Sequence, residues 1–97
     1  MATGEFQMPE VRSFLITSTF NELFEYGNGI FSLNTSSSDP NRPSNASYWM
    51  VLQFKMWASG AWFGGQLAIN TQATNTYYMR KHRGSNGWTE WGSLTFS

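Results

Sequence analysis

Apolar and polar residues alternate along most of this chain in the manner of β-strands. The candidate strands are VRSFLITS at 11–18, IFSLN at 30–34, YWMVLQFKMWA at 48–58, QLAINTQ at 66–72, TYYMRKHR at 76–83 and the final segment WTEWGSLTF at 88–96. Glycine-containing turns join the later ones, SGAWFGG at 59–65 and GSNG at 84–87. Closely spaced strands with short turns predict a mostly antiparallel sheet.

A helical pattern occurs in TFNELFEYGNG. Thr19 and Glu22 have the spacing of a capping box, in which a hydroxyl and a carboxylate accept bonds from backbone amides at the helix start. Gly27 marks the end of about two turns, so we predict a short helix over about residues 19–26. Its apolar face consists of Phe20, Leu23 and Phe24.

The strand at 48–58 is the longest, and its two faces differ. One face is uniformly apolar and consists of Tyr48, Met50, Leu52, Phe54 and Met56. The other face is mixed and consists of Trp49, Val51, Gln53, Lys55 and Trp57. We therefore expect a core on the uniformly apolar side and partial cover on the mixed side.

Together these elements predict the α+β class, as a small, mostly antiparallel sheet of four to five strands with one short helix. A chain of 97 residues makes one domain with a modest core. We expect residues 1–17 to be a lead-in segment or first strand, and residues 18–97 to be a single knob-like domain. The opening MATGEF is partly explained by cloning, because Glu5-Phe6 is what a common restriction site encodes.

The segment TSSSDPNRPSNAS at 35–47 contains turn-forming residues and no large apolar side chain. It therefore predicts a long loop. Such loops are usually functional or disordered, and both interpretations stay open at this point. Calcium held by backbone carbonyls of this loop also stays open.

Composition disfavours several classes of partner. The net charge is +0 and 12% of residues are charged, which does not suit polyanions or acidic membranes. Without cysteine, neither a disulfide framework nor a Cys-based metal site can form. No run approaches the ~18 apolar residues of a membrane span, and no signal peptide is recognised, so we expect no membrane insertion.

The residue inventory also disfavours catalysis. The chain has one aspartate, Asp39, and one histidine, His82, and a Ser-His-Asp triad would need both. Glu22 and Glu25 have the spacing of a solvated helix face rather than of a glycosidase pair, and Glu90 has no evident partner. We therefore expect no enzyme activity and no cofactor, and no metal site built from side chains.

The basic cluster RKHR at 80–83 lies in a candidate strand, so its first and third side chains point to one face and the others to the opposite face. An edge strand that uses charge against aggregation is the favoured interpretation. A nucleic-acid stacking surface with Tyr77 and Tyr78 is the alternative. Because the net charge is +0, we expect no nucleic-acid partner.

The order of these segments resembles the pyocin-knob type of domain, which recurs in tail fibres of phages and phage-tail-like bacteriocins. The resemblance covers roughly residues 18–95 and rests on Asn21, Gly29-Ile30-Phe31, Pro43, Leu52, Gln66-Leu67-Ala68-Ile69, Tyr78-Met79-Arg80, Gly87, Trp88, Trp91 and Leu94. Its most specific part is the terminal block Tyr-x-Arg followed by Gly-Trp-x-x-Trp. The chain departs from the pattern in the extra aromatics of WASGAWFGG and in lacking a collagen-like or coiled segment, so we expect a C-terminal fragment of a longer fibre.

The resemblance implies a homotrimeric tail-fibre component of a virion that recognises polysaccharide or lipopolysaccharide at the bacterial surface. Two other functions stay open: a purely structural knob or trimerisation module, and a carbohydrate-binding module attached to an enzyme. Five Trp, eight Phe and four Tyr suit sugar binding and subunit interfaces equally.

For a glycan site, the sequence points to Trp57 and Trp62, which flank the tight connection ASGA. The loop at 35–47 offers Asp39, Asn41 and Arg42 as polar partners. An inter-subunit contact is the competing interpretation of the two tryptophans.

Trp88 and Trp91 pose a different problem, because residues three apart on a regular strand point to opposite faces. We expect both to be structural. One is expected to pack under the sheet against Phe20, Leu23 and Phe24, and the other against a neighbouring strand or subunit.

Overall fold

The computed structural model of the chain describes residues 11–71 and 74–96, which form one six-stranded sheet with a short helix on one side. The strands are β1 (Val11–Thr17), β2 (Gly29–Asn34), β3 (Tyr48–Ala58), β4 (Ala61–Ile69), β5 (Thr76–Arg83) and β6 (Gly92–Thr95). Helix α1 (Phe20–Leu23) continues into a 3-10 turn at Phe24–Tyr26, and another 3-10 turn occupies Gly84–Asn86. The spatial order is β1-β2-β3-β4-β5-β6.

The predicted class, a mostly antiparallel sheet with one short helix, is confirmed in outline. The predicted number of four to five strands was too low, and β1 pairs with β2 in parallel, whereas the later pairs are antiparallel. Parallel neighbours need a crossover connection, and here it contains the helix. Of the expected lead-in, residues 11–17 are β1 of the sheet, whereas residues 1–10 lie outside the described residues.

The helix begins as the sequence predicts. The Thr19 hydroxyl accepts a bond from the Glu22 amide at 3.1 Å and donates one to the Glu22 carboxylate at 2.9 Å. The carboxylate of Asp39 accepts a bond from the Phe20 amide at 3.0 Å, so a second side chain satisfies the helix start. The predicted apolar face is confirmed by the burial of Phe20, Leu23 and Phe24.

The core lies between the helix and the sheet, on the side opposite to the predicted one. Its members are Ile16, Phe20, Leu23, Phe31, Leu33, Trp49, Val51 and Ala68. In β3, the mixed face packs on the helix, and the predicted core residues Tyr48, Met50, Phe54 and Met56 are exposed while Leu52 is half-buried. We term the side of the sheet without the helix the open face.

Buried amides explain why the helix packs on the mixed face. Gln53 donates from Nε2 to the Leu23 carbonyl at 2.8 Å and to the carbonyl of the glycine after the helix at 2.7 Å. Gln66 donates to the Phe20 carbonyl at 3.0 Å and to Gln53 Oε1 at 2.7 Å. Because carbonyls at a helix end have no partner within the helix, they need donors of this kind. The opposite face of β3 carries no side-chain amide.

The β3–β4 hairpin turns on two residues, so the predicted turn at 59–65 was too long. Ser59 and Gly60 have φ values of 51° and 78°, as in the two-residue type I′ turn that suits the twist of a hairpin. Gly64 lies within β4, where a Cβ would come within 2.0 Å of the Phe54 carbonyl oxygen. This glycine therefore marks a close approach of two strands rather than a turn.

Candidate functional site

Two exposed tryptophans meet near the end of the β3–β4 hairpin. Trp57 and Trp62 are directly opposite each other in the register, with ring centroids 5.1 Å apart and ring planes at 67°. Their side chains are 58% and 44% exposed. The short turn therefore brings together the two rings that the sequence singled out.

A cleft of about 440 Å³ opens beside this pair, between the helix and the sheet. It is lined by Asn21, Phe24, Glu25, Lys55, Trp62, His82 and Trp88. The volume falls within the range of about 300–1,000 Å³ that small-molecule sites occupy.

Aromatic rings form the apolar wall of the cleft. The Phe24 ring stacks on the His82 imidazole with centroids 4.9 Å apart and meets the Trp88 ring edge-on at 4.9 Å. His82 and Trp88 also contact each other, at 5.0 Å. Because each ring touches the other two, the wall exists before any ligand arrives.

Lys55 extends its ammonium group over two of these rings. Its Nζ lies 4.7 Å from the centroid of Phe24 and 4.5 Å from that of Trp62, which is cation–π distance. Within the part of the chain that the structure describes, these rings are the contacts of the ammonium group. Its N–H donors are therefore available to a ligand.

His82 is oriented by the strand next to it. Its Nδ1 lies 2.9 Å from the Trp62 carbonyl oxygen. A carbonyl only accepts, so the geometry assigns the proton of this contact to Nδ1.

A glycine separates Lys55 from His82 in the sheet. In the register, Gly64 lies opposite Lys55 on one side and opposite His82 on the other. Both polar side chains line the cleft, and the position between them has no side chain. Neither Lys55 nor His82 was predicted as a site residue from the sequence, and the one signal for them, a glycine pair inside an alternating strand, was assigned to a turn.

The indole N–H groups of the chain divide into two sets. Trp49 Nε1 donates to the Ala46 carbonyl at 2.9 Å, and Trp91 Nε1 donates to the Asn41 carbonyl at 2.6 Å. The indoles for which the described residues offer no hydrogen-bond acceptor are those of Trp57, Trp62 and Trp88. Trp62 and Trp88 line the cleft, and Trp57 contacts Trp62 from outside it.

The loop residues predicted to accompany the tryptophan pair have other partners. Asp39 is buried, and its carboxylate accepts bonds from the Thr35 hydroxyl at 2.6 Å and the Asn41 amide at 2.9 Å, besides that from the helix start. Arg42 donates to two carbonyls of its own loop at 2.7 and 2.9 Å. The loop at 35–47 is thus ordered by its own bonds, and none of Asp39, Asn41 and Arg42 lines the cleft.

Both C-terminal tryptophans lie on the helix side of the sheet. The Trp91 ring meets Phe20 edge-on at 5.2 Å, and the Trp88 ring meets Phe24 at 4.9 Å. The expectation that one packs against the helix and the other against a neighbouring strand is confirmed in part, because Trp88 contacts His82 of β5 at 5.0 Å as well as the helix. The segment between them is not a regular strand, so strand alternation does not separate their side chains.

Arg80 lies between these two rings and is buried. Burial lowers the pKa of Arg80 to about 10, while the carboxylate of Asp39 acts in the opposite direction. The side chain is therefore charged at neutral pH. Its guanidinium donates to Gln66 Oε1 and to Asn21 Oδ1, both at 2.9 Å, and the second bond fixes a residue that lines the cleft.

The basic cluster at 80–83 does not lie on an edge strand, because β6 follows β5 in the sheet and pairs with its residues 76–79. The irregular segment 87–89 covers the cluster itself, since the Arg83 amide donates to the Gly87 carbonyl and the Thr89 amide donates to the Lys81 carbonyl, both at 2.9 Å. The edge-strand interpretation was therefore wrong. Its predicted alternation is confirmed, since Arg80 and His82 contact rings on the helix side. With Arg80 engaged in the core, the cluster does not present a continuous basic surface.

Within residues 11–71 and 74–96, no group of three or more His, Cys, Asp or Glu side chains is placed to hold a metal ion. Nor does any helix in these ranges have the length and apolar character that a membrane crossing requires. No protein-family model, no curated protein and no solved structure matches this chain.

Proposed function

We propose that this chain is a non-enzymatic domain of a phage tail fibre, assembled as a homotrimer in the virion, that binds saccharide at the bacterial surface. The observation that carries the proposal is the cleft beside Trp57 and Trp62. It combines an aromatic wall with ammonium and indole donors that have no hydrogen-bond acceptor among the described residues. The assignment to a phage tail fibre rests on the resemblance of the terminal Trp-x-x-Trp block to that of pyocin-knob domains.

The chemistry of the cleft fits a saccharide better than an apolar ligand. A sugar ring has a face of C–H groups that stacks on an indole, and a rim of oxygens that accepts hydrogen bonds. Trp62 supplies a partly exposed ring, and Lys55 supplies donors beside it. Acidic groups of a surface polysaccharide or lipopolysaccharide would pair with Lys55, because charge-assisted bonds are the stronger ones.

Binding without cleavage is the activity that the cleft supports. Glycoside hydrolysis requires two carboxyl groups on either side of the scissile bond. Glu25 is the one carboxylate among the residues that line the cleft. In this arrangement Glu25 and the Asn21 amide serve as hydrogen-bond partners for sugar hydroxyls.

Titration of the assembled protein with a panel of purified bacterial surface polysaccharides and lipopolysaccharides tests the proposal. Trp62→Ala and Lys55→Met are expected to weaken binding at least tenfold, about 1.4 kcal/mol or more, as interface hot spots do. The matched control is Tyr26→Ala, because Tyr26 is 43% exposed against 44% for Trp62 and does not line the cleft. This control is expected to bind within twofold of the wild type.

Two results would overturn the saccharide-binding proposal. One is an assembled wild-type protein that binds no member of the panel and does not adsorb to cells, which would leave the purely structural knob. The other is loss of assembly in the double variant Trp57→Ala/Trp62→Ala, which would make the tryptophan pair a subunit contact. A monomer that binds saccharide would favour a carbohydrate-binding module attached to an enzyme.

A further inference from the structure

The open face of the sheet exposes large apolar side chains of β1, β3, β5 and the C-terminal segment. Its large side chains that are 50–60% exposed are Leu15, Tyr48, Met50, Phe54, Met56, Met79, Leu94 and Phe96. The strand register places them on one side, since Met50 and Met56 lie opposite Ile69 and Phe63, and Leu94 lies opposite Tyr77. A face of this kind is unusual on a soluble monomer.

The size of this surface matches an interface between proteins. Large side chains present about 150–250 Å² each, so eight of them at roughly half exposure offer on the order of 700 Å². The half-buried side chains between them add to that area. One partner contributes about 800 Å² to a stable interface of standard size, whereas exposed apolar patches on monomers are about 300–600 Å².

The surface has both projections and hollows. One hollow of about 160 Å³ lies where Gly65 faces Phe54 across the register, and Met79 forms its far wall. A second hollow of about 210 Å³ is walled by Leu15, Met50 and other side chains of the open face. Methionine and phenylalanine projections beside hollows of side-chain size suit packing against a surface of the same kind.

The near absence of charge on the open face also favours another copy of this chain as its binding partner. In the described strands, the charged residues at open-face register positions are Lys81 and Arg83, both at one end of β5. The rest of the face has no charge that an acidic or basic partner would have to match. Homo-oligomers bury uncharged apolar surfaces of this type under closed symmetry.

We propose that the open face is the surface through which copies of this chain associate, with further copies of the same chain as its occupant, packed open face to open face around the axis of the assembly. The inference rests on the self-assembly in the proposed function and does not depend on saccharide binding. Because the cleft lies on the helix side, assembly through the open face leaves every cleft accessible. Several clefts on one particle would raise the avidity for a repeating polysaccharide.

Sedimentation equilibrium over a range of concentrations tests the assignment. We expect the wild type at a multiple of the 11.0 kDa monomer, three times for a trimer. The double variant Phe54→Lys/Met79→Lys is expected to weaken association at least tenfold while keeping the wild-type circular dichroism spectrum.

Met56→Lys and Trp57→Lys form a matched pair on β3, since the two side chains are 59% and 58% exposed on opposite faces. Only the first is expected to weaken association.

Methionine oxidation provides a second measurement that needs no variant. Met50, Met56 and Met79 are 55–59% exposed in the single chain, so an unassociated protein would oxidise at all three at rates close to that of free methionine. Assembly through the open face is expected to slow oxidation at least tenfold, and dilution is expected to restore it. A monomer at every concentration, an assembled wild type with unprotected methionines, or equal loss of assembly in Trp57→Lys would overturn the inference. Failure to bind saccharide by an assembled, protected protein would overturn only the proposed function.

Discussion

The guanidinium carbon of Arg80 lies 3.8 Å from the centroid of the Trp88 ring. Trp91 approaches the same carbon to 4.6 Å, so one buried cation is held between two indoles. The segment that carries the indoles has little regular structure, and this cation holds it against the helix side of the sheet. The double tryptophan is therefore fixed by packing, whereas Trp57 and Trp62 remain exposed.

Replacing Arg80 is expected to destabilise the fold strongly. Arg80→Met leaves the oxygens of Gln66 and Asn21 without a donor and removes the cation between the rings, so we expect a loss of about 3 kcal/mol or more. Arg80→Lys is expected to recover only part of this, because an ammonium group cannot reproduce the planar fork. The measurement is urea unfolding at one fixed protein concentration.

The control for this prediction is Glu90→Gln, since Glu90 is an exposed residue in the segment between the two indoles. We expect it to change the free energy of unfolding by no more than about 0.5 kcal/mol. Equal effects of Arg80→Met and Glu90→Gln would show that the cation between the rings does not matter.

The amide pair Gln53 and Gln66 is expected to act as one unit. Each single change to Met leaves helix carbonyls without donors and should cost about 2 kcal/mol. Because Gln66 donates to Gln53, the double variant should cost less than the sum of the singles, with a coupling of at least about 0.5 kcal/mol. A double-mutant cycle by urea unfolding measures this, and strict additivity would contradict the shared network.

Local signals were sufficient to predict the helix and several strands. Thr19 and Glu22 locate the helix start, and β3 and β5 have the bounds that alternation predicts, because these features depend only on neighbouring residues. The parallel pairing of β1 with β2 depends on a crossover, which no local pattern reports. For the same reason the number of strands in the sheet was underestimated.

The core face of β3 could not be predicted from apolarity alone. Tyr48 and Met50 belong to the more apolar face, yet the helix packs on the face that carries Gln53, because its carbonyls need donors. In the single chain this apolar face is exposed, and association of further copies through it, as proposed above, would bury it. Only part of the cleft could be predicted from the sequence. Trp62 and its neighbour Trp57 stand out in the sequence. Lys55 and His82 are brought together by the strand register around Gly64, which no local pattern reports.

The β3–β4 turn offers a substitution expected to stabilise the protein. Ser59 has φ 51°, and asparagine tolerates positive φ better than serine does. Ser59→Asn is therefore expected to raise the free energy of unfolding by about 0.5 kcal/mol, and Gly60→Ala to lower it by about 1 kcal/mol. Ser85→Asn is the control, because Ser85 is exposed and is not among the positive-φ residues. Thermal unfolding that shifts equally for both asparagine variants would contradict the turn geometry.

Replacing Asp39 tests whether the loop at 35–47 has a structural role or a role in binding. Its carboxylate accepts three bonds, from the Phe20 amide, the Thr35 hydroxyl and the Asn41 amide. In Asp39→Asn the amide nitrogen cannot accept, so at least one bond is lost, and we expect a destabilisation of about 2 kcal/mol.

Saccharide affinity, measured where the variant is still fully folded, is expected to stay within twofold of the wild type. Ser37→Ala, an exposed change in the same loop, should alter neither quantity. If Asp39→Asn lost as much affinity as Trp62→Ala while keeping its stability, the loop would belong to the binding site, and the cleft alone would not account for recognition.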